Sequence, residues 1–195
     1  MDLWQLIERD HENIAHLIRD IPYALNGSGV VRSRERLLGN LIDEFEAHSA
    51  ALEGALYAPL RRHEATAGLV DALHREHRTV LKGLTALARR RSSTAGWLDA
   101  FEDATFHLDQ HLHRHGHELL PAARTQLSSE AIEAAGRDYI RARMKALKGR
   151  RGVLGRLGSE EVGLIAVVGA LAAGVGYLAW RSGSLGTSGS RRHAH

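Results

Sequence analysis

Imidazole dominates the chemistry available to this 195-residue chain: it has thirteen histidines, eleven of them before residue 118, and no cysteine. The missing cysteines exclude a thiolate metal site, a disulfide framework and a cysteine nucleophile together. No phosphate-cradling glycine loop and no nucleophile motif is present, so hydrolytic or group-transfer chemistry has no support. The histidines recur in a pattern. His11, His48 and His77 each fall on the apolar stripe of a separate segment, and His111 with His115 on that of a fourth. His74 flanks the third stripe and His107 the fourth. Singly, each could be a satisfied core histidine. Jointly they are harder to satisfy, because a buried imidazole needs partners for both nitrogens. A bound metal resolves this, since neutral imidazole ligates iron, zinc, copper and nickel. His16, His63, His113 and His117 fall off the stripes and read as solvated.

Helical segments must position these residues. Leu3, Ile7, His11, Ile14, Ile18 and Ile21 recur at spacings of three and four. Asn26-Gly27-Ser28-Gly29 then breaks the pattern. A second segment, about 33–62, carries Leu38, Leu41, Phe45, His48, Leu52 and Leu56 on one face. A third, about 66–90, carries Val70, Leu73, His77, Leu81 and Leu84, and a fourth, about 94–123, carries Trp97, Phe101, Ala104, Leu108, His111, His115 and Leu119. Ser92-Ser93-Thr94 offers the turn and helix cap between them. Short connections make sequential helices neighbours, which predicts an all-α, antiparallel up-down four-helix bundle over 1–125. An accessory helix within 126–148, from about Ser129 to Lys148, is expected to pack outside the bundle or lead away from it. Bundles of this kind build metal sites from inward side chains of facing helices.

Four stretches in order resemble the hemerythrin-like HHE cation-binding family. Asp10-His11-Glu12-Asn13-Ile14 is similar to its first-helix signature, and His48-Ser49-Ala50-Ala51-Leu52-Glu53-Gly54-Ala55-Leu56-Tyr57 to its second. His74-Arg75-Glu76-His77 fits the third, and His111 to Pro121 the fourth. The resemblance covers residues 1–148. It implies a non-haem di-iron centre held by histidines and two bridging carboxylates, each four residues after the helix-two and helix-four histidine. Here those positions are Leu52 and His115, and neither is an acid. Two close iron ions need anionic bridges to offset their repulsion. The departure therefore points to an altered or mononuclear site built from His11, His48, His77, His107, His111 and His115, with His74 and Glu53 beside it. Iron is the metal the family implies, and a neutral histidine cavity also suits zinc or another divalent ion. Asp10, Asp109 and Glu118 are acids placed to orient the imidazoles.

Beyond residue 148 the composition changes. Residues 149–161 form a basic, glycine-containing linker, and Val162–Trp180 is a run of nineteen residues without charge, long enough to cross a bilayer core. Trp180 and Tyr177 stand near one end, as interfacial aromatics do. Lys145, Lys148, Arg150, Arg151 and Arg156 outweigh the basic residues after the run, which predicts a single-pass membrane protein with the bundle in the cytoplasm. No signal peptide is read at the N-terminus, and residues 181–195 read as a flexible tail. Small residues at Ala170/Gly174 and Ala172/Gly176 would let two spans pack as a homodimer. The basic stretch suits anionic lipid, so no nucleic acid is expected as partner. Three functions stay open: a protein that binds iron to sense or store it or an oxidant, an iron enzyme acting on dioxygen, peroxide or nitric oxide, and a metal-free scaffold. The first, a non-enzyme, is preferred.

Overall fold

The computed structural model describes residues 2–24 and 30–154. The chain divides into two units, 1–151 and 152–195, and the first contains the bundle and its histidines. Among the described residues the secondary structure is entirely helical. The predicted span 162–180 and the tail 181–195 lie outside the described residues. No helix among the described residues is long and apolar enough to cross a membrane.

Helix α1 (Leu3–Tyr23) starts at a capping box in which the Asp2 carboxylate accepts from the Gln5 backbone N–H and the Gln5 side chain accepts from that of Asp2. Helix α2 (Val30–Leu52) continues through a π-helical segment, Glu53–Tyr57, into α3 (Ala58–Arg61). Helix α4 (Glu64–Ala88) follows after a tight turn. Helix α5 (Trp97–Arg114) continues through a second π segment, His115–Leu119, into α6 (Leu120–Gln126). Helix α7 (Ser129–Leu154) completes the described chain.

Proline explains the π segments. Pro59 and Pro121 each stand two residues beyond one of them. A proline inside a helix lacks the N–H for the i−4 carbonyl and collides with that carbonyl. Widening the preceding turn by one residue relieves the collision, and such bulges are a recognised outcome of strain in long helices.

Contacts across the bundle fix its direction of winding. Arg34 donates to the Pro22 carbonyl while His11 meets His48, so α1 and α2 run antiparallel. Phe45 touches His77 and Glu53 meets His74, which sets α2 against α4 in the same sense. Gly83 faces Ala104 and Glu76 faces His111, which does so for α4 and α5. Helix α1 also packs on α5, closing the ring.

The apolar core is split in two. Leu3, Ile7, Leu52, Leu56, Leu60, Leu73, Leu119 and Tyr139 form one cluster. Ile14, Ile21, Leu41, Phe45, Val80, Leu84, Trp97 and Leu108 belong to the other. His11, His48, His77 and His115 each fall between the two clusters along their own helix, and His111 lies one turn before His115 beside Leu108 and Leu112 of the second, so the bundle holds a polar belt between two oily layers.

Two local expectations change. Helix α5 begins at Trp97, later than the predicted start near Thr94, because Gly96 takes a left-handed backbone at φ +72°. Trp97 is then driven into the core, stacked on Phe101 at 5.6 Å. Gly96→Ala should cost about 1–2 kcal/mol, the penalty of an L side chain in that region. Urea unfolding checks this, and an unchanged midpoint would mean the turn rearranges freely. Helix α7 does not stay outside: Ala135 and Tyr139 are buried in the first cluster, and a Cβ at Gly136 would stand 3.8 Å from the Leu3 Cβ.

Candidate metal centre

Three of the stripe histidines converge. His11 from α1, His48 from α2 and His115 from the second π segment each offer a ring nitrogen within 4.8 Å of the others. His48 and His115 are fully buried. His111 continues the group, its ring 4.2 Å from that of His115, and His77 lies 6.2 Å beyond His111. Five histidines thus form a connected belt.

The remaining sequence candidates lie apart from the triad. Glu53 is half-buried, accepts from Arg61 and sits 3.2 Å from Nδ1 of His74, so these two pair with each other. His107 is exposed and lines a cleft between α4 and α5. Leu52 is a fully buried member of the apolar cluster. Glu118 is held by Arg114 in two short hydrogen bonds.

Two tyrosines complete the belt, and the sequence reading gave neither a role. The Tyr57 hydroxyl lies 3.0 Å from Nε2 of His115, and the Tyr139 hydroxyl 3.0 Å from Nδ1 of His48. Tyr57 stands nine residues after His48, which on an ideal α-helix is about 180° away. The π segment adds one residue to the intervening turns and swings Tyr57 back toward the belt. Tyr139 comes from α7, the helix expected to be peripheral.

The hydrogen bonds have one consistent direction. Tyr139 donates to the Asp10 carboxylate at 2.6 Å, so its oxygen accepts from Nδ1–H of His48. Nε2 of His48 then faces Nδ1 of His115 at 3.3 Å. The free Nε2 of His115 in turn accepts from the Tyr57 hydroxyl. Asp10 is anchored by Arg143 of α7, which also pairs with Glu44. At the other end, Glu76 meets Nδ1 of His111 at 3.3 Å and is gripped by Arg114, and the Ser49 hydroxyl lies 2.6 Å from Nδ1 of His77.

Electrostatics follow from burial. Desolvation, with neighbouring imidazoles adding to it, pushes His11 down to about 3 and His77 to about 4. It pushes His111 to about 4 against the pull of Glu76. His115 is driven well below the usual range by burial and four neighbouring histidines. These rings are neutral at pH 7 and present lone pairs, the form a metal requires. Burial opposes ionisation of Asp10, yet hydrogen bonds with His48, Arg143 and Tyr139 hold its carboxyl below the ordinary value. Burial raises both tyrosines, keeping them as phenols.

The belt fits a metal ion on its own evidence. Nε2 of His11 and Nε2 of His111 are buried without a hydrogen-bond partner. An orphaned buried nitrogen costs about 1–3 kcal/mol, and two in one layer are accounted for by a ligand that uses them. His11, His48 and His115 supply three nitrogens, with the Tyr57 oxygen beside them. No carboxylate belongs to the triad, whose nearest acid, Asp10, stands 3.6 Å from His48 behind Tyr139.

Comparison with known proteins bears on the family and the fold. No curated protein matches the chain. Its fold is similar to the crystal structure of a hemerythrin HHE cation binding domain-containing protein from Mycobacterium kansasii, 24% identical. The TM-score is 0.67, with 80% of this chain and 93% of that one covered. The family model described as Hemerythrin HHE cation binding domain matches residues 2–123. With its histidine belt inside the matched region, this chain belongs to the hemerythrin HHE cation-binding family.

Proposed function

We propose that this protein holds non-haem iron at His11, His48 and His115 and serves to sense or store iron or a small oxidant, tethered to the cell membrane through residues 162–180. The convergence of three imidazoles in the bundle interior carries the reading. His77 and His111 extend the ligand set toward a cleft of about 370 Å³ between α4 and α5. Iron is the choice of the family resemblance, and the chemistry it would supply is reversible redox and binding of a small oxidant. The chain's own part is to keep His11 and His115 deprotonated, orient His48 through Tyr139 and Asp10, and wall the site with apolar layers.

A binding role is favoured over turnover by the absence of an acid in the triad, which leaves no carboxylate to shuttle protons at the ion. The membrane tether rests on the uncharged run 162–180 and its aromatic flank. The basic residues before it favour the bundle in the cytoplasm.

Metal analysis with an optical spectrum, on the full chain purified without added metal or chelator, tests the reading. A single triad predicts about one iron per chain, lost on replacing His115 with Ala. About two irons per chain would overturn the mononuclear site. An empty, folded chain that also fails to take up ferrous iron would overturn metal binding and leave a scaffold.

A further inference from the structure

A second pair of histidines lies outside the belt. His113 and His117 are both exposed, one near the end of α5 and the other in the π segment that follows. Their rings stack face to face, with centroids 3.8 Å apart and planes inclined by 20°. Nδ1 of His117 donates to the His113 carbonyl at 2.9 Å. That bond settles the tautomer: the proton of a neutral His117 is on Nδ1, and the lone pair is on Nε2.

We infer that His113 and His117 form a surface site for a borderline transition-metal cation, Cu²⁺ first and then Ni²⁺ or Zn²⁺, separate from the buried belt. Two histidines four residues apart on one helix face are an established way to hold such an ion, because both rings reach one point. Imidazole is suited to these metals, and binding strength rises to copper in the divalent series. Bonds of about 2 Å need the two nitrogens about 3 Å apart, which a small rotation of two exposed rings provides. Parallel rings already side by side have lost much of the rotamer freedom that chelation would otherwise cost.

The surroundings leave the pair available. Glu118, its closest acidic neighbour in sequence, is occupied by Arg114. Asp109, exposed and one turn before His113 in α5, stands on the same helix face and offers an oxygen as third donor. The pair is fixed to the belt only through the chain, since His115 between them is buried while they are exposed.

The experiment titrates Cu²⁺ alone into the full chain and counts bound ions by electron paramagnetic resonance. It is repeated with His113→Asn, with His117→Asn and with both together, checking helicity by circular dichroism. Both changes are at exposed positions, so the fold should hold. The belt and the histidines at 193 and 195 are common to all these chains and cancel in the comparison. Each single variant should bind one Cu²⁺ about a hundredfold more weakly, the gain that tethering a second ligand confers. The double variant should be no worse than either. Equal binding by the wild-type chain and both single variants would overturn the site. Loss in only one of them would overturn chelation by the pair.

Discussion

Replacing His11 with Leu should make the metal-free protein more stable and the metal-bound protein less well occupied. Nε2 of His11 is buried and unpartnered, so the metal-free bundle carries an unsatisfied polar atom in its interior. Leucine has a similar bulk and leaves nothing to satisfy, which should raise unfolding free energy by about 1–2 kcal/mol. The same change removes one of three converging nitrogens. Metal affinity should then fall by at least about a hundredfold, as when a chelate loses a tethered arm. Urea unfolding after chelator treatment reads the first effect, and metal content after dialysis reads the second. A metal-free variant that unfolds earlier, with metal content intact, would make His11 a packing residue and not a ligand.

Acid should unfold the metal-free bundle well before its carboxylates titrate. His11 is pushed down to about 3, His77 and His111 to about 4, and an unfolded histidine takes a proton near 6.5. Between those values the unfolded chain binds more protons than the folded one, so stability falls as pH drops from about 6.5 toward 4. Each tenfold difference in proton affinity between the folded and unfolded chain is worth about 1.4 kcal/mol, and several rings contribute. The acids facing the belt do not compensate. Asp10 is committed to Arg143 and Tyr139, and Glu76 to Arg114. Asp10, whose carboxyl is held low, withdraws its own contribution only below about pH 4. Thermal unfolding of the chelated chain at pH 7, 6 and 5 should show a steep decline. A flat profile would mean the belt is hydrated and the rings are not buried in the way described.

The sequence made the belt's histidines legible and hid its tyrosines. His11, His48, His77, His111 and His115 are on apolar stripes because a helix of 3.6 residues per turn keeps its inner face readable from spacing alone. Tyr57 was hidden by that same regularity, since a π segment alters the register after Glu53 and spacing presumes a uniform helix. The signal available was proline: Pro59 and Pro121 both interrupt segments that otherwise read as helix. Tyr139 was hidden because tertiary packing, and not periodicity, decides where an extra helix docks. Gly54 allows that docking, with the Ala142 side chain only 3.2 Å from where its Cβ would stand. His74 and Glu53, close to the stripes in sequence, are turned toward each other at 3.2 Å. A stripe fixes a face of a helix, and which residues at its margin point inward depends on the neighbouring helix.

The two widened turns also bear on how this chain tolerates changes in length. A π segment holds one residue more than the α turn it replaces, so it is a place where a helix already contains a surplus. Elsewhere in these helices, losing a residue would rotate every later side chain off its face. Within Glu53–Tyr57 or His115–Leu119 the same loss would restore regular winding, and each segment carries a glycine, Gly54 or Gly116, as its second residue. What such a deletion would take away is the swing that brings Tyr57 to the belt. Length in these helices is therefore adjustable at two points, and both adjoin the site.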